Sequence, residues 1–266
     1  MTLLISTQKL DELIQKKDKK LRIIDTRSFG EYVLGHIPGS INTELMQFHW
    51  SDTTKNGIKQ FNKQNTKLFS NFGIKKNTFL VFYENISGPS AARGVWLSLY
   101  FSHKKVAMLD GGFDKWRVEN RVIDTESEKF QHRRFEGKPY SSILADLNFM
   151  KKVIKKKKDF QIIDVRTSDE FSGQQVRACR RGHIPLSRNI DWNTNVKDGR
   201  FKSLNELKKI YTEISPDKET VTYCQGGYRA ANTFVILSEL GFKKAKLYLG
   251  SWNEWGNDMS LPIENN

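Results

Sequence analysis

The chain has 266 residues, of which 38% are hydrophobic and 28% charged, and its formal net charge at pH 7 is +14. This composition excludes a disordered chain and is sufficient for a sizeable core and two domains. Two cysteines are too few for a disulfide framework, so we expect reduced thiols.

Helical and strand patterns alternate along the first half. The segment TQKLDELIQKK at 7–17 carries apolar residues at helical spacing. The short β-branched or aromatic runs RIID at 22–25 and FLVFY at 79–83 predict strands.

The second half continues the alternation. Strands are predicted for QIID at 161–164 and TVTY at 220–223, and helices for SLNELKKIYTEI at 203–214 and AANTFVILSEL at 230–240. This order predicts an α/β fold in which helices flank a mostly parallel sheet.

An internal repeat organises the chain. The stretch LRIIDTRSFGEYVLGHIPGSINTELM (21–46) returns as FQIIDVRTSDEFSGQQVRACRRGHIPLSRNIDW (160–192), with IID-x-R, an acidic-aromatic pair and GHIP in the same order. Residues 125–142 are polar, charged and poor in periodicity, which is typical of a linker. We therefore predict two homologous domains, 1–124 and 143–266, joined by this linker.

The sequence predicts a cytoplasmic protein without a membrane partner. The apolar stretch at the N-terminus is brief, no cleavage pattern follows it, and no later apolar run approaches bilayer-spanning length. Lysine-rich runs such as KKVIKKKKDF at 151–160 lack interleaved aromatics, so nucleic acid is not favoured as a partner. A positive field suits an anionic small substrate equally well.

Cys224 stands at the junction between a predicted strand and a predicted helix, in the order Cys224, Gln225, Gly226, Gly227, Tyr228, Arg229. A short loop at such a junction can aim several backbone N–H groups at one point, and the positive end of the helix dipole favours a thiolate. The pattern predicts a nucleophile for sulfur or phosphorus chemistry rather than a small buried hydrophobe. Cys179 lies between arginines without a glycine cradle, and we expect it to be structural.

These motifs resemble the rhodanese family of sulfurtransferases in its two-domain form. The resemblance rests on IID-x-R, GHIP, YCQGGYRAA before a helix and YLGSWNEW, and it covers nearly the whole chain. It implies a catalytic second domain with a six-residue loop from Cys224 to Arg229. It also implies a catalytically inactive first domain, in which Glu84 of YENISGPSAARG stands near the place of the cysteine.

The resemblance further implies a persulfide mechanism. Cys224 would take the sulfane sulfur of a donor, and cyanide, a small thiol or a thioredoxin-like protein would accept it. The expected substrate-binding residues are Gln225, Gly226, Gly227, Tyr228, Arg229, Arg177 and Arg181, with no cofactor and no metal.

Other polar residues are predicted to be structural. Neither step of a persulfide mechanism needs a proton delivered to a poor leaving group, so we expect no histidine beside the loop. His183 belongs to GHIP, which is also present in the first repeat, and the pair Asp164 and Arg166 returns as Asp25 and Arg27.

The donor is predicted to be thiosulfate, with 3-mercaptopyruvate as the alternative. Members of the family that use thiosulfate tend to have basic loop residues, and here Arg229 supplies one cation. Arg177, Arg180 and Arg181 in the segment before the second GHIP lie where mercaptopyruvate enzymes bind the substrate carboxylate, which keeps that donor open.

Two other classes remain as alternatives. A non-catalytic sulfur carrier would pass its persulfide to a protein partner. A cysteine-dependent phosphatase uses a similar cradle, but it has five residues between cysteine and arginine, whereas four intervene between Cys224 and Arg229 here.

Overall fold

A computed structural model describes residues 2–156 and 160–265, which form two compact units. Unit 1 comprises Met1–Phe48, Gln60–Pro139 and Val196–Phe201, and unit 2 comprises His49–Lys59, Tyr140–Asn195 and Lys202–Asn266. Each unit therefore includes a short segment from the other repeat. Residues 49–59 and 196–201 depart in this respect from the contiguous domain ranges expected from the sequence.

Unit 1 contains one parallel sheet with helices around it. Its elements in chain order are β1 (Leu4–Ile5), α1 (Thr7–Gln15), β2 (Leu21–Asp25), α2 (Phe29–Val33), β3 (Ser40–Asn42), α3 (Lys55–Asn71, whose first residues belong to unit 2), β4 (Phe79–Tyr83), α4 (Pro89–Tyr100), β5 (Val106–Leu109) and α5 (Gly112–Val118). The strand order is β1-β5-β4-β2-β3, with every neighbour parallel.

Unit 2 repeats this arrangement. Its elements are β6 (Leu144–Ala145), α6 (Leu147–Lys156), β7 (Phe160–Asp164), α7 (Ser168–Ser172), β8 (Ser187–Asn189), α8 (Leu204–Ile210), β11 (Glu219–Tyr223), α9 (Tyr228–Glu239), β12 (Ala245–Tyr248) and α10 (Ser251–Trp255). The strand order is β6-β12-β11-β7-β8, again with parallel neighbours. The antiparallel pair β9 (Val196–Lys197) and β10 (Arg200–Phe201) belongs to unit 1.

The central strands are buried on both faces of each sheet. In β4, the successive residues Val81 and Phe82 point to opposite faces and are fully buried, and the same holds for Val221 and Thr222 in β11. Strands buried on both faces are typical of parallel sheets covered by helices on both sides. The registers coincide, since Tyr223 pairs with Asp164 as Tyr83 pairs with Asp25. The predicted α/β fold with tandem parallel sheets is confirmed.

The repeated motifs brace the sheet edge at which the loops lie. Arg166 donates to both carboxylate oxygens of Asp164 and to the carbonyl of Gly182, at 2.8 Å for the latter. Arg27 makes the same contacts with Asp25 and Gly35. These pairs are internal, as the sequence predicts. Within the described part of the chain, no helix is both long and apolar enough to cross a bilayer.

Candidate active site

The loop after β11 carries Cys224 into the N-terminus of α9. Cys224 directly follows the strand and is 1% exposed. Gly227 caps α9 with φ of 85°, a left-handed conformation that glycine adopts without steric cost. Its N–H donates to Cys224 Sγ at 3.0 Å. The sulfur therefore lies at the positive end of a 12-residue helix, where negative charge is stabilised.

The short helix α10 fastens the other side of the loop. The N–H groups of Trp252 and Asn253 donate to the carbonyls of Cys224 and Gln225, both at 2.9 Å. The N–H of Cys224 donates to Ser251 Oγ at 3.3 Å. The backbone around the sulfur is thus held from two helices, which limits its freedom to reorganise.

Arg229 forms an ion pair within the site. Its Nη1 and Nη2 donate to Glu170 Oε2 and Oε1 at 2.5 and 2.9 Å. Burial opposes the charged form of Glu170, but the hydrogen bonds and charge of Arg229 lower the pKa of Glu170 to about 2. Burial likewise opposes the charged form of Arg229, whose pKa is nevertheless raised by Glu170 and by the negative charge of Cys224. Glu170 keeps this cation fixed and charged beside the sulfur.

Gln225 and Tyr228 are the two loop residues with large side chains between Cys224 and Arg229. Gln225 Nε2 donates to the carbonyl of Arg177 at 2.8 Å and to Asn253 Oδ1. Gln225 Oε1 is buried and has no hydrogen-bond partner among the described residues. Tyr228 is buried at the first turn of α9.

The three arginines before the second GHIP have different surroundings. Arg177 is half exposed, and its Nη1 lies 3.6 Å from Glu170 Oε1. Arg180 donates to the carbonyls of Trp255, Gly256, Asp258 and Leu261, so its guanidinium is engaged by the end of α10. Arg181 is exposed and lies against Gly173.

The expectation that no histidine lies beside the loop is wrong. His49, in the segment that unit 2 takes from the first repeat, packs its ring against Gly226. Its Nε2 lies 2.7 Å from Asn253 Nδ2. Sequence reasoning missed His49 because it follows GHIP in the first repeat, at a place without periodicity or motif. His183 is buried, with Nδ1 2.9 Å from the carbonyl of Phe171 and its ring stacked on the Phe171 ring.

Glu170 was also missed, although it belongs to the repeated acidic-aromatic pair. The informative signal is a difference between the repeats. In unit 2, Glu170 forms an ion pair with Arg229 of α9. In unit 1, Glu31 instead accepts a hydrogen bond from Asn85 at 2.6 Å.

In unit 1 the equivalent loop holds a carboxylate in place of the thiol. Glu84 directly follows β4, and its Oε1 accepts from the N–H groups of Ser90 and Ala91 at 2.7 and 3.1 Å. Burial raises the pKa of Glu84 to about 7 despite these two hydrogen bonds. The loop runs from Glu84 to Gly88 before α4, one residue longer than Cys224–Gly227 before α9.

Cys179 is exposed, and its N–H donates to Asn257 Oδ1 at 2.7 Å. These contacts place its backbone against the segment after α10 rather than in the Cys224 loop. Its structural role stays a prediction.

Comparison with known proteins gives a consistent result. The family model described as "Rhodanese-like domain" matches residues 6–119 and 149–258. The sulfur carrier protein TtuD of Thermus thermophilus is 33% identical over 98% of this chain and 95% of its own length. The thiosulfate sulfurtransferase of Corynebacterium glutamicum is 33% identical over 88% of this chain and 81% of its own.

Solved structures share the fold. The 3-mercaptopyruvate sulfotransferase SseA from Escherichia coli superposes with a TM-score of 0.81 at 24% identity, covering 95% of this chain and 99% of the other. Wild-type EanB superposes with a TM-score of 0.86 at 20% identity, covering 99% of this chain and 69% of the other.

Proposed function

This chain belongs to the rhodanese family, and on that premise we propose that it is a thiosulfate sulfurtransferase that carries sulfur as a persulfide on Cys224. The observation that supports this most directly is the hydrogen bond from the Gly227 N–H to Cys224 Sγ at the N-terminus of α9. A thiolate there is held in place by backbone dipoles that need not reorganise during reaction.

The first half-reaction loads the sulfur. The Cys224 thiolate attacks the sulfane sulfur of thiosulfate, a new S–S bond forms, and the original S–S bond breaks with its electron pair leaving on sulfite. The product is an anionic persulfide, so charge is conserved and no proton moves. The Gly227 N–H and the charge of Arg229 stabilise negative charge on sulfur at this place.

The second half-reaction unloads it. The carbon of cyanide, or the sulfur of a thiolate, attacks the outer sulfur of the persulfide, and the S–S bond to Cys224 breaks. Cyanide yields thiocyanate and restores the thiolate. Small thiols and thioredoxin-like proteins are the acceptors we propose in the cell.

Thiosulfate is preferred to 3-mercaptopyruvate because of the state of the arginines. Arg180 is engaged by four carbonyls, and Arg229 is paired with Glu170. Arg177 and Arg181 have exposed side chains, and Arg177 makes a long contact to the Glu170 carboxylate. Thiosulfate is a dianion, and the positive charge of the protein attracts it. It does not need arginines arranged to bind a carboxylate, as 3-mercaptopyruvate does.

Steady-state assays with both donors test this proposal. With cyanide as acceptor, thiosulfate is expected to give the higher kcat/KM. A higher value with 3-mercaptopyruvate would replace thiosulfate by the alternative donor.

A sulfur carrier is the second candidate, because the sulfur carrier protein TtuD matches this chain over 95% of TtuD's own length. The same persulfide would then be passed to a protein. Stoichiometric loading of Cys224 by thiosulfate without turnover to cyanide would favour the carrier over the enzyme.

A further inference from the structure

His49 lies directly over the backbone of the Cys224 loop. A Cβ added at Gly226 would overlap the imidazole at Cε1 and would fall closer to Nδ1 than to Nε2. The His49 ring also stacks on Tyr228, with 6.2 Å between ring centroids and 15° between planes. The imidazole therefore contacts the loop at Gly226, midway between the nucleophile and the first turn of α9.

A chain of hydrogen bonds fixes the protonation of this ring. The carbonyl of Arg177 can only accept, so the amide nitrogen of Gln225 faces it and donates. The same nitrogen donates to Asn253 Oδ1, which leaves Asn253 Nδ2 to donate to His49 Nε2 at 2.7 Å. His49 Nε2 is thus an acceptor, and the neutral ring carries its proton on Nδ1.

A second contact fastens the segment that carries His49. The hydroxyl of Thr53 donates to the carboxylate of Glu254, and the N–H of Thr53 donates to Glu254 Oε1 at 2.7 Å. Tyr248 also donates its hydroxyl to Glu254. Asn253 and Glu254 are neighbours on α10, the helix that binds the loop carbonyls. One short helix therefore holds both the loop and the segment that covers it.

Among the described residues of unit 1, the helix α5 makes other contacts at the equivalent positions. The N–H groups of Phe113 and Asp114 donate to the carbonyls of Glu84 and Asn85, as those of Trp252 and Asn253 do in unit 2. The places of Asn253 and Glu254 are taken by Asp114, paired with Arg117 at 3.6 Å, and Lys115, bound to Glu119 and Thr7. The loop of unit 1 is instead bound by the segment 196–201, through the Ser87 N–H, which donates to the Gly199 carbonyl at 2.8 Å, and through the Phe201 N–H, which donates to Asp110 Oδ1 at 3.0 Å. Both loops are thus attached to a segment from the other repeat, and the imidazole contact is described at the loop that has the thiol.

We propose that His49 is a positioning residue for sulfur transfer, whose Nδ1-protonated ring restrains Gly226 and so keeps the Gly227 N–H aimed at Cys224 Sγ. The role rests on the proposed persulfide function, but the geometry can be tested without it. The ring acts on the loop backbone, and no bond to the substrate is assigned to it.

The test uses the full chain with Cys179→Ser, so that Cys224 is the only thiol. The single variants His49→Ala, His49→Gln and Gly226→Ala are compared with the parent. The double variant that combines His49→Ala with Gly226→Ala is measured as well. The exposed His132→Ala in unit 1 is the matched control. Two rates are measured at neutral pH, namely sulfur loading of Cys224 from thiosulfate by mass spectrometry, and alkylation of Cys224 by iodoacetamide.

His49→Ala is expected to lower the maximal loading rate by about tenfold or more, with the half-saturating thiosulfate concentration little changed, because the nucleophile is misplaced. Alkylation should slow as well. His49→Gln retains an acceptor for Asn253 and should recover most of both rates. Gly226→Ala alone should lower both rates, because the methyl group of the new alanine overlaps the His49 ring. The loss should be smaller in the double variant, in which His49→Ala removes that ring.

Different results separate this proposal from the proposed function. Unchanged loading and alkylation in His49→Ala, or equal harm from His132→Ala, would overturn the positioning role. Slower loading with unchanged alkylation would mean that His49 contacts the donor, which also overturns it. If the parent is not loaded by thiosulfate, the proposed donor fails, and slower alkylation of His49→Ala would still support the positioning role.

The tautomer gives a test that needs no reaction. Nitrogen NMR of the full chain, with His49 assigned by its loss in His49→Gln, should show a protonated Nδ1 and an unprotonated Nε2. An Nε2-protonated ring would contradict the hydrogen-bond chain and the proposal with it.

Discussion

Arg229 and Glu170 join the first turn of α9 to the first turn of α7 through two hydrogen bonds, although 59 residues separate them in the sequence. Glu170 also completes a capping box with Thr167 at the start of α7. A carboxylate that caps one helix therefore fixes the cation of another beside the nucleophile. In unit 1, Glu31 caps α2 in the same way but meets an amide.

Glu170→Gln should separate these two roles. Glutamine preserves the capping box but leaves the charge of Arg229 uncompensated in a largely buried position. We expect a loss of about 2 kcal/mol in unfolding free energy and a kcat lower by about tenfold. Urea denaturation and thiosulfate turnover measure the two effects. The control Glu31→Gln keeps its own cap and should stay within about 0.5 kcal/mol, so an equal loss there would refute the role of the ion pair.

Cys224→Ser should abolish both sulfur loading and turnover, because the nucleophilic sulfur is removed. After incubation with thiosulfate, the mass of one sulfur atom is expected at Cys224 in the parent, and no added sulfur is expected at Cys179 of the variant. Cys179→Ser should keep most of the activity. An inactive Cys179→Ser protein would instead make Cys179 a resolving thiol and point to redox chemistry.

Glu84 should make the stability of the protein depend on pH. Its folded pKa of about 7 lies above the unfolded value, so the folded state holds the proton more tightly. The contribution of Glu84 to the free energy of unfolding is fully present below the unfolded pKa, and it is lost as the pH rises through the folded pKa of about 7. Glu84→Gln, which is neutral throughout, should therefore gain melting temperature relative to the parent between pH 5 and pH 8. A constant difference over this interval would show that Glu84 does not titrate there.

Loop length should separate sulfur from phosphate chemistry. In the loop from Cys224 to Gly227, the Gly227 N–H donates to the sulfur atom, whereas the loop of unit 1, one residue longer, holds a carboxylate. The parent is expected to hydrolyse aryl phosphates negligibly while it turns over thiosulfate. Insertion of one residue between Gly227 and Tyr228 should weaken sulfur transfer and favour phosphate or arsenate binding. Ready hydrolysis by the parent that Cys224→Ser removes would establish the phosphatase alternative.

Separation of the repeats should leave no activity in the first. Residues 1–124 carry Glu84 and no cysteine, so this fragment should form no persulfide and show no turnover. Sulfur transfer by this fragment would contradict the assignment of the first repeat as inactive.

The sequence by itself determined the fold class, the duplication and the loop of Cys224. Each of these features depends on residues that are close together in the sequence. The hydrophobic periods of strands and helices are local, and so is the succession of strand, thiol, glycines and helix. The family prediction is confirmed for the same reason, because its motifs lie within such short stretches.

Only the tertiary structure decided what surrounds the loop. It placed His49 against Gly226 and Asn253, which lies 204 residues away, and it engaged Arg180 with the end of α10. It also assigned residues 49–59 to unit 2. Contacts between side chains far apart in the chain leave no period in the sequence, because they depend on where separate strands and helices come together in space.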